Sequence, residues 1–124
     1  MWKDWIGLPH EFRADPRDGK AADCVVMVWA VLEEAKIKCP DFQNEWLDLA
    51  EAGRWDAIQT IWEQGTEPLD KPEPYAICLF DNGPIGLGFG IVVDDGVLIV
   101  HYKRGVHWVP FRALQKVEYC RFKQ

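Results

Sequence analysis

The sequence has no apolar run approaching membrane-spanning length, and no charged segment followed by an apolar stretch opens it. A membrane protein or a signal-directed one is therefore not expected. The chain should work where it is made, or leave the cell as part of a larger particle. Cysteine is sparse and scattered: Cys24, Cys39, Cys78 and Cys120 form no CxxC pair. That leaves a zinc site with little support, and without a secretion signal structural disulfides are not expected. Clustered basic residues are also lacking, and the formal net charge is −6, which speaks against binding a phosphate backbone. Gly83, Gly86, Gly88 and Gly90 are no dinucleotide fingerprint, because no helix follows them. They read as turn and strand-edge backbone, or as places where another chain approaches closely. There is no internal repeat and no low-complexity segment. Neither a cofactor nor a metal is expected.

What is present suffices for one domain with a real core: 124 residues, 48% apolar and 27% charged. Seven tryptophans are many for this length; such rings carry a large apolar payload and are enriched at interfaces. Lys103, Arg104, Arg112, Lys116, Arg121 and Lys123 are interleaved with apolar residues, as on the solvated faces of strands.

Residues 1–22 read as an N-terminal loop anchored by Trp2 and Trp5, with turn signals at Gly7-Leu8-Pro9 and Asp15-Pro16-Arg17-Asp18-Gly19. Residues 23–64 form a helical part. Its main helix runs from about Asp23 to Lys36 and is stopped by Pro40; two more cover Asp41 to Ala52 and Trp55 to Gln64. Pro68, Pro72 and Pro74 mark a crossing loop. Residues 75–122 form an antiparallel sheet, with strands expected at Tyr75–Phe80, Phe89–Val93, Val97–Tyr102, Val106–Phe111 and Val117–Phe122. Asp94-Asp95-Gly96 is a strong hairpin signal within it. Helices first and a meander second predict an α+β fold with the first helix packed on the sheet. Cys78 and Cys120 lie in β-like runs and read as core thiols.

Cys24 is the residue most able to carry chemistry. It follows a polar loop ending in Asp23 and precedes the apolar run Val25 to Leu32, so it falls on the first turn of the main helix. Asp is a preferred N-cap, and the free N–H groups of a first turn stabilise anionic sulfur. A helix start is one place where a thiol pKa drops. Val25 and Val26 oppose this by desolvating the sulfur, and the plain alternative is a small packed core residue. The helix terminus should win if Cys24 keeps some solvent access.

Trp5-Ile6-Gly7-Leu8-Pro9, Asp15-Pro16, Gly19 through Asp23-Cys24, a helix and Pro40 together resemble the opening of the NlpC-like cell-wall peptidases of tailed phages. The run Gly90-Ile91-Val92-Val93-Asp94-Asp95-Gly96-Val97-Leu98-Ile99-Val100-His101 resembles that family's His-bearing hairpin, and Gly105-Val106 and Tyr119-x-Arg121 fit its phage branch. The resemblance implies a single papain-like (NlpC-type) domain with Cys24 as nucleophile. It places the general-base His at Gly88 and a third, orienting polar residue at His101. Around Gly88, Ile85-Gly86-Leu87-Gly88-Phe89 offers no titratable side chain. By resemblance the chain keeps nucleophile and orienter and lacks the base.

A cysteine nucleophile needs a partner that holds the thiolate and then protonates the leaving amine, so the three histidines matter most. His101 ends a strand and reads as a recruited base; His10 follows Pro9 and could fold over the site; His107 begins the next strand. Each is otherwise an ordinary structural His. Asp94-Asp95, Glu33-Glu34, Asp15 and Asp18 read as turn and solvated residues. Two functions follow. The first is a catalytically degenerate NlpC-type domain, a structural or assembly component of a phage tail. It would form in the host cytoplasm and then reside in the virion, its partners other phage structural proteins. The second is an active cysteine amidase or peptidase acting on peptidoglycan stem peptides, with Cys24 as nucleophile and His101 as base. Neither needs nucleic acid or a membrane.

Overall fold

Asp23 starts the first helix. In the computed structural model, which describes residues 1–114 and 117–123, its side chain accepts the N–H groups of Val25 and Val26 at 2.8 and 3.3 Å, fixing α1 at Cys24–Glu34. Lys116 lies outside the described residues. Every residue of α1 from Cys24 to Leu32 is buried, so this is a core helix rather than an amphipathic one. Its end comes before Pro40. Lys36 takes the left-handed conformation with φ 60°, the Ile37 N–H reaches back to the Leu32 carbonyl at 2.9 Å and that of Lys36 to Glu33 at 3.0 Å. This reversal satisfies the terminal carbonyls, and Pro40 only follows it.

Two further helices, α2 (Gln43–Glu51) and α3 (Trp55–Gly65), are joined by a turn at Gly53 and pack on each other. Among the described residues six strands follow: β1 (Thr66–Leu69), β2 (Ile77–Asp81), β3 (Leu87–Val93), β4 (Gly96–His101), β5 (Gly105–Pro110) and β6 (Glu118–Phe122). They form one antiparallel sheet in the order β1-β6-β2-β3-β4-β5. The fold is α+β, with α1 packed against β3. Asp94 and Asp95 both have positive φ, 49° and 59°, the geometry of a primed hairpin turn whose twist matches its strands.

Two features depart from the sequence expectation. The meander holds from β2 to β5, but β6 returns to pair with β2 and carries β1 on its outer side. And β1, with Pro68 in the middle, lies where a loop was expected. A proline lacks the donor a central ladder needs and is tolerated on an edge strand, which is where Thr66–Leu69 sits.

The sheet buries both faces. Toward the helices point Phe89, Ile91, Leu98, Val100 and Phe122. Away from them point Cys78, Phe80, Val92, Val97 and Ile99, packed against Phe111, Leu114, Val117 and Tyr119. Cys78 and Cys120 are buried in neighbouring strands, as core thiols should be. No helix among the described residues is long and apolar enough to cross a membrane.

The N-terminal segment is a strap around the start of α1. Gly7 and Leu8 exchange backbone hydrogen bonds with Val106 on the open edge of β5, both at 2.8 Å. Further on, Ala22 donates to Pro9 at 2.9 Å, Glu11 to Ala22 at 3.1 Å and Asp23 to Ala14 at 2.8 Å. The Arg13 guanidinium then ties the strap to α2 through Asp48 and Glu51, at 2.5 and 3.0 Å.

Candidate functional site around Cys24

Cys24 faces a cavity of about 380 Å³ enclosed by the strap, α2, α3 and the start of β3. Trp46, Ile58, Trp62 and Phe89 supply apolar wall, and His10, Asp23 and Gln59 are the polar contributors beside the thiol. The rings interlock edge to face: Trp46 with Phe89 at 5.2 Å between centroids, and Trp62 with Phe89 at 5.0 Å. Trp46 is 6% exposed, and its Nε1–H has no acceptor among the described residues. An orphaned buried donor costs about 1–3 kcal/mol.

The thiol is not activated. Burial, first, and the adjacent Asp23 carboxylate, second, push Cys24 up to about 12. The backbone N–H groups of Phe89, Val25 and Cys24 itself pull the other way and are outweighed. The condition for a depressed pKa, solvent access, is not met, because Cys24 is only 9% exposed. The N-cap works against the sulfur in a second way. The carboxylate that satisfies the first-turn N–H groups also places negative charge beside the thiol, which opposes the field of the helix terminus.

The structure separates Cys24 from His101. Side chains alternate along β4: Leu98 and Val100 belong to the helix-side core, Val97 and Ile99 to the opposite one. His101 shares the parity of Val97 and Ile99 and so lies on the face turned away from α1. His107 pairs with Ile99 and lies with it. Gly88, where the resemblance would place a base, also faces away, since a Cβ there would meet the Phe80 ring at 2.6 Å. The β3 residues that reach the Cys24 cavity are Leu87 and Phe89, neither titratable. The pairing of Cys24 with His101 as its base therefore finds no geometry. The histidine that does line the cavity is His10, carried by the strap.

His101 instead organises the β4–β5 turn. Its Nδ1 accepts the N–H groups of Lys103 and Arg104 at 3.0 and 3.2 Å, and its ring stacks on Tyr102 at 4.6 Å and meets His107 edge-on at 6.0 Å. Burial, then His107, Arg104 and Lys103, hold its pKa below the ordinary 6.5. A folded-state pKa below the unfolded one means that the unfolded chain binds the proton more readily. The stabilising contribution is then full above pH 6.5 and lost as pH falls. The urea midpoint of the wild type should drop between pH 7.5 and pH 5.5 by more than that of His101→Gln. Equal slopes would show that His101 does not carry this dependence.

Sequence reasoning missed the aromatic wall. Trp46, Trp55 and Trp62 fall within the two later helices expected from the sequence, and only their convergence with Phe89 makes a cavity. Among the described residues no group of three or more His, Cys, Asp or Glu is placed to hold a metal ion. Comparison of the chain with family models, curated proteins and solved structures gives no match.

Proposed function

We propose that this chain is a papain-like domain of NlpC type without hydrolase activity, serving as a structural or assembly component of a tailed-phage particle. The particle assignment and its position in the tail rest on the sequence pattern around Asp23-Cys24 and the Gly90–His101 hairpin. The loss of activity rests on one observation: the sulfur is buried beside Asp23, pushed up to about 12, under a strand that offers it only Leu87 and Phe89. A protonated thiol with no base from the sheet cannot attack an amide at a useful rate. A helix-start cysteine kept after the loss of its base serves as packing, since Cys24 touches the central core cluster.

A second reading has one observation in its favour. His10 lines the same cavity, so an amide hydrolase would use Cys24 as nucleophile and His10, not His101, as base. One experiment separates the two. Purified protein incubated with peptidoglycan or its stem peptides should release nothing above a Cys24→Ala control. Turnover lost in both Cys24→Ala and His10→Ala, and kept in His101→Ala, would establish the second reading. On the same sample, iodoacetamide near neutral pH should label Cys39 before Cys24, because Cys39 is partly exposed and raised only to about 11. Cys24 labelling first would mean an accessible thiolate and would remove the main support for an inactive domain.

A further inference from the structure

The cavity beside Cys24 continues outward as an apolar collar. Phe12, Trp55 and Leu87 line it and are 43%, 59% and 58% exposed, a cost in water that isolated surface residues do not share because here they are contiguous with a buried wall. The two helices that wall this opening belong to a segment of one-sided charge, although none of its acids lines the cavity itself. Residues 41–65, which contain α2 and α3, carry Asp41, Glu45, Asp48, Glu51, Asp56 and Glu63 against Arg54 alone. That segment holds a net −5 of the chain's −6. All six acids are exposed. Arg13 from the strap engages two of them, Asp48 and Glu51, and Arg54 pairs with Asp56, which still leaves the segment acidic.

We propose that this opening docks a basic segment of a partner protein, which inserts one aromatic or branched aliphatic side chain into the cavity and lays lysines or arginines along α2 and α3. The inference rests on the reading of the chain as a binding component and names the chemistry of its partner. At about 380 Å³ the cavity lies near the lower end of the range of ligand pockets, which suits an anchoring side chain better than a large cofactor. Buried aromatic anchors in desolvated pockets carry most of the energy of protein interfaces, and Trp46 keeps an Nε1–H without an acceptor in this wall. Charge excludes the other occupants. A nucleic acid or an anionic lipid surface would meet the acids of α2 and α3, and a second copy joined about a two-fold axis would bring the same acids.

The test uses the intrinsic fluorescence of the full chain, since Trp46, Trp55 and Trp62 all border the cavity. Three capped peptides of equal length serve as probes: lysine-flanked with a central phenylalanine, lysine-flanked with a central alanine, and glutamate-flanked with a central phenylalanine. The first should bind saturably, at least about tenfold more tightly than either of the others, and more weakly as salt is raised. Trp55→Ala, at a largely exposed position, should weaken the first peptide about fivefold or more, whereas Lys103→Ala, which does not line the cavity, should leave it unchanged. Equal binding of the phenylalanine and alanine peptides, equal binding of the lysine and glutamate peptides, or no saturable binding by any of them overturns the proposal. Hydrolysis by the wild type would overturn the inactive-domain reading, whereas this titration, carried out on Cys24→Ala, reports binding alone, so the two failures are distinguishable.

Discussion

Asp23→Ala should lower the stability of the domain by about 3 kcal/mol. Asp23 is 4% exposed and accepts three backbone N–H groups, from Val25 at 2.8 Å, Val26 at 3.3 Å and Arg13 at 3.0 Å. Loss of an N-cap costs about 0.5–2 kcal/mol, and buried donors left without an acceptor add about 1–3 kcal/mol. Two elements depend on this one side chain, the start of α1 and the strap that crosses it, so neither can relax without the other. In urea the midpoint should fall with little change in slope. Asp23→Asn separates capping from charge. Asparagine is as good a cap as aspartate, but its Nδ2 cannot accept the Arg13 N–H that Oδ2 takes, so it should recover the cap share of the lost stability and not the strap share. It also removes the carboxylate that raises the Cys24 thiol, so the pH at which Cys24 becomes alkylated should move down in Asp23→Asn while the fold persists. If Asp23→Asn proves as damaging as Asp23→Ala, the charge or the Arg13 bond carries the loss, and the capping account fails.

Much of the fold was legible because local chemistry and global packing agree. Asp23 before an apolar run announces a helix start, and the structure caps α1 there. Asp94-Asp95-Gly96 announces a tight hairpin, and both aspartates adopt the positive φ that such a turn requires. What stayed hidden was non-local. Nothing in Thr66-Glu67-Pro68-Leu69 signals a strand, because its pairing is supplied by β6, about fifty residues on. The site was harder still. Period-two alternation fixes which strand residues share a face, but which face receives α1 is decided by packing. With His101 on the far parity, proximity along the hairpin said nothing about proximity to Cys24. His10 came to the cavity through backbone bonds between Pro9, Glu11 and Ala22, which no spacing rule encodes. The Cys24 pKa turned on the same kind of fact: the cap and the helix terminus were readable, and the depth of burial that overrode them was not.

Gly105→Ala should be nearly as costly as the loss of Asp23, by about 3 kcal/mol, and for a reason that ties the far edge of the sheet to the Cys24 cavity. Gly105 has φ +73°, and a Cβ there would lie 2.1 Å from the Leu8 carbonyl oxygen. The left-handed conformation alone costs an L-residue about 1–2 kcal/mol. The clash adds more, because Leu8 accepts the Val106 N–H at 2.8 Å and Gly7 donates to the Val106 carbonyl at 2.8 Å, so moving Leu8 away breaks the pairing of the strap with β5. Gly53→Ala is the matched control. It has φ +71° and nothing within 4 Å of its Cβ, so it should cost only the conformational share, about 1 kcal/mol. The difference between the two variants measures the close approach. The strap continues from Leu8 through Pro9 to His10 and Phe12, both of which line the cavity. Its release should therefore speed amide exchange at Gly7 and Val106 and raise the alkylation rate of Cys24 in Gly105→Ala, but not in Gly53→Ala. Equal stability loss in the two variants, with Cys24 equally protected, would mean that Leu8 gives way freely and that the strap does not depend on this contact to close the cavity.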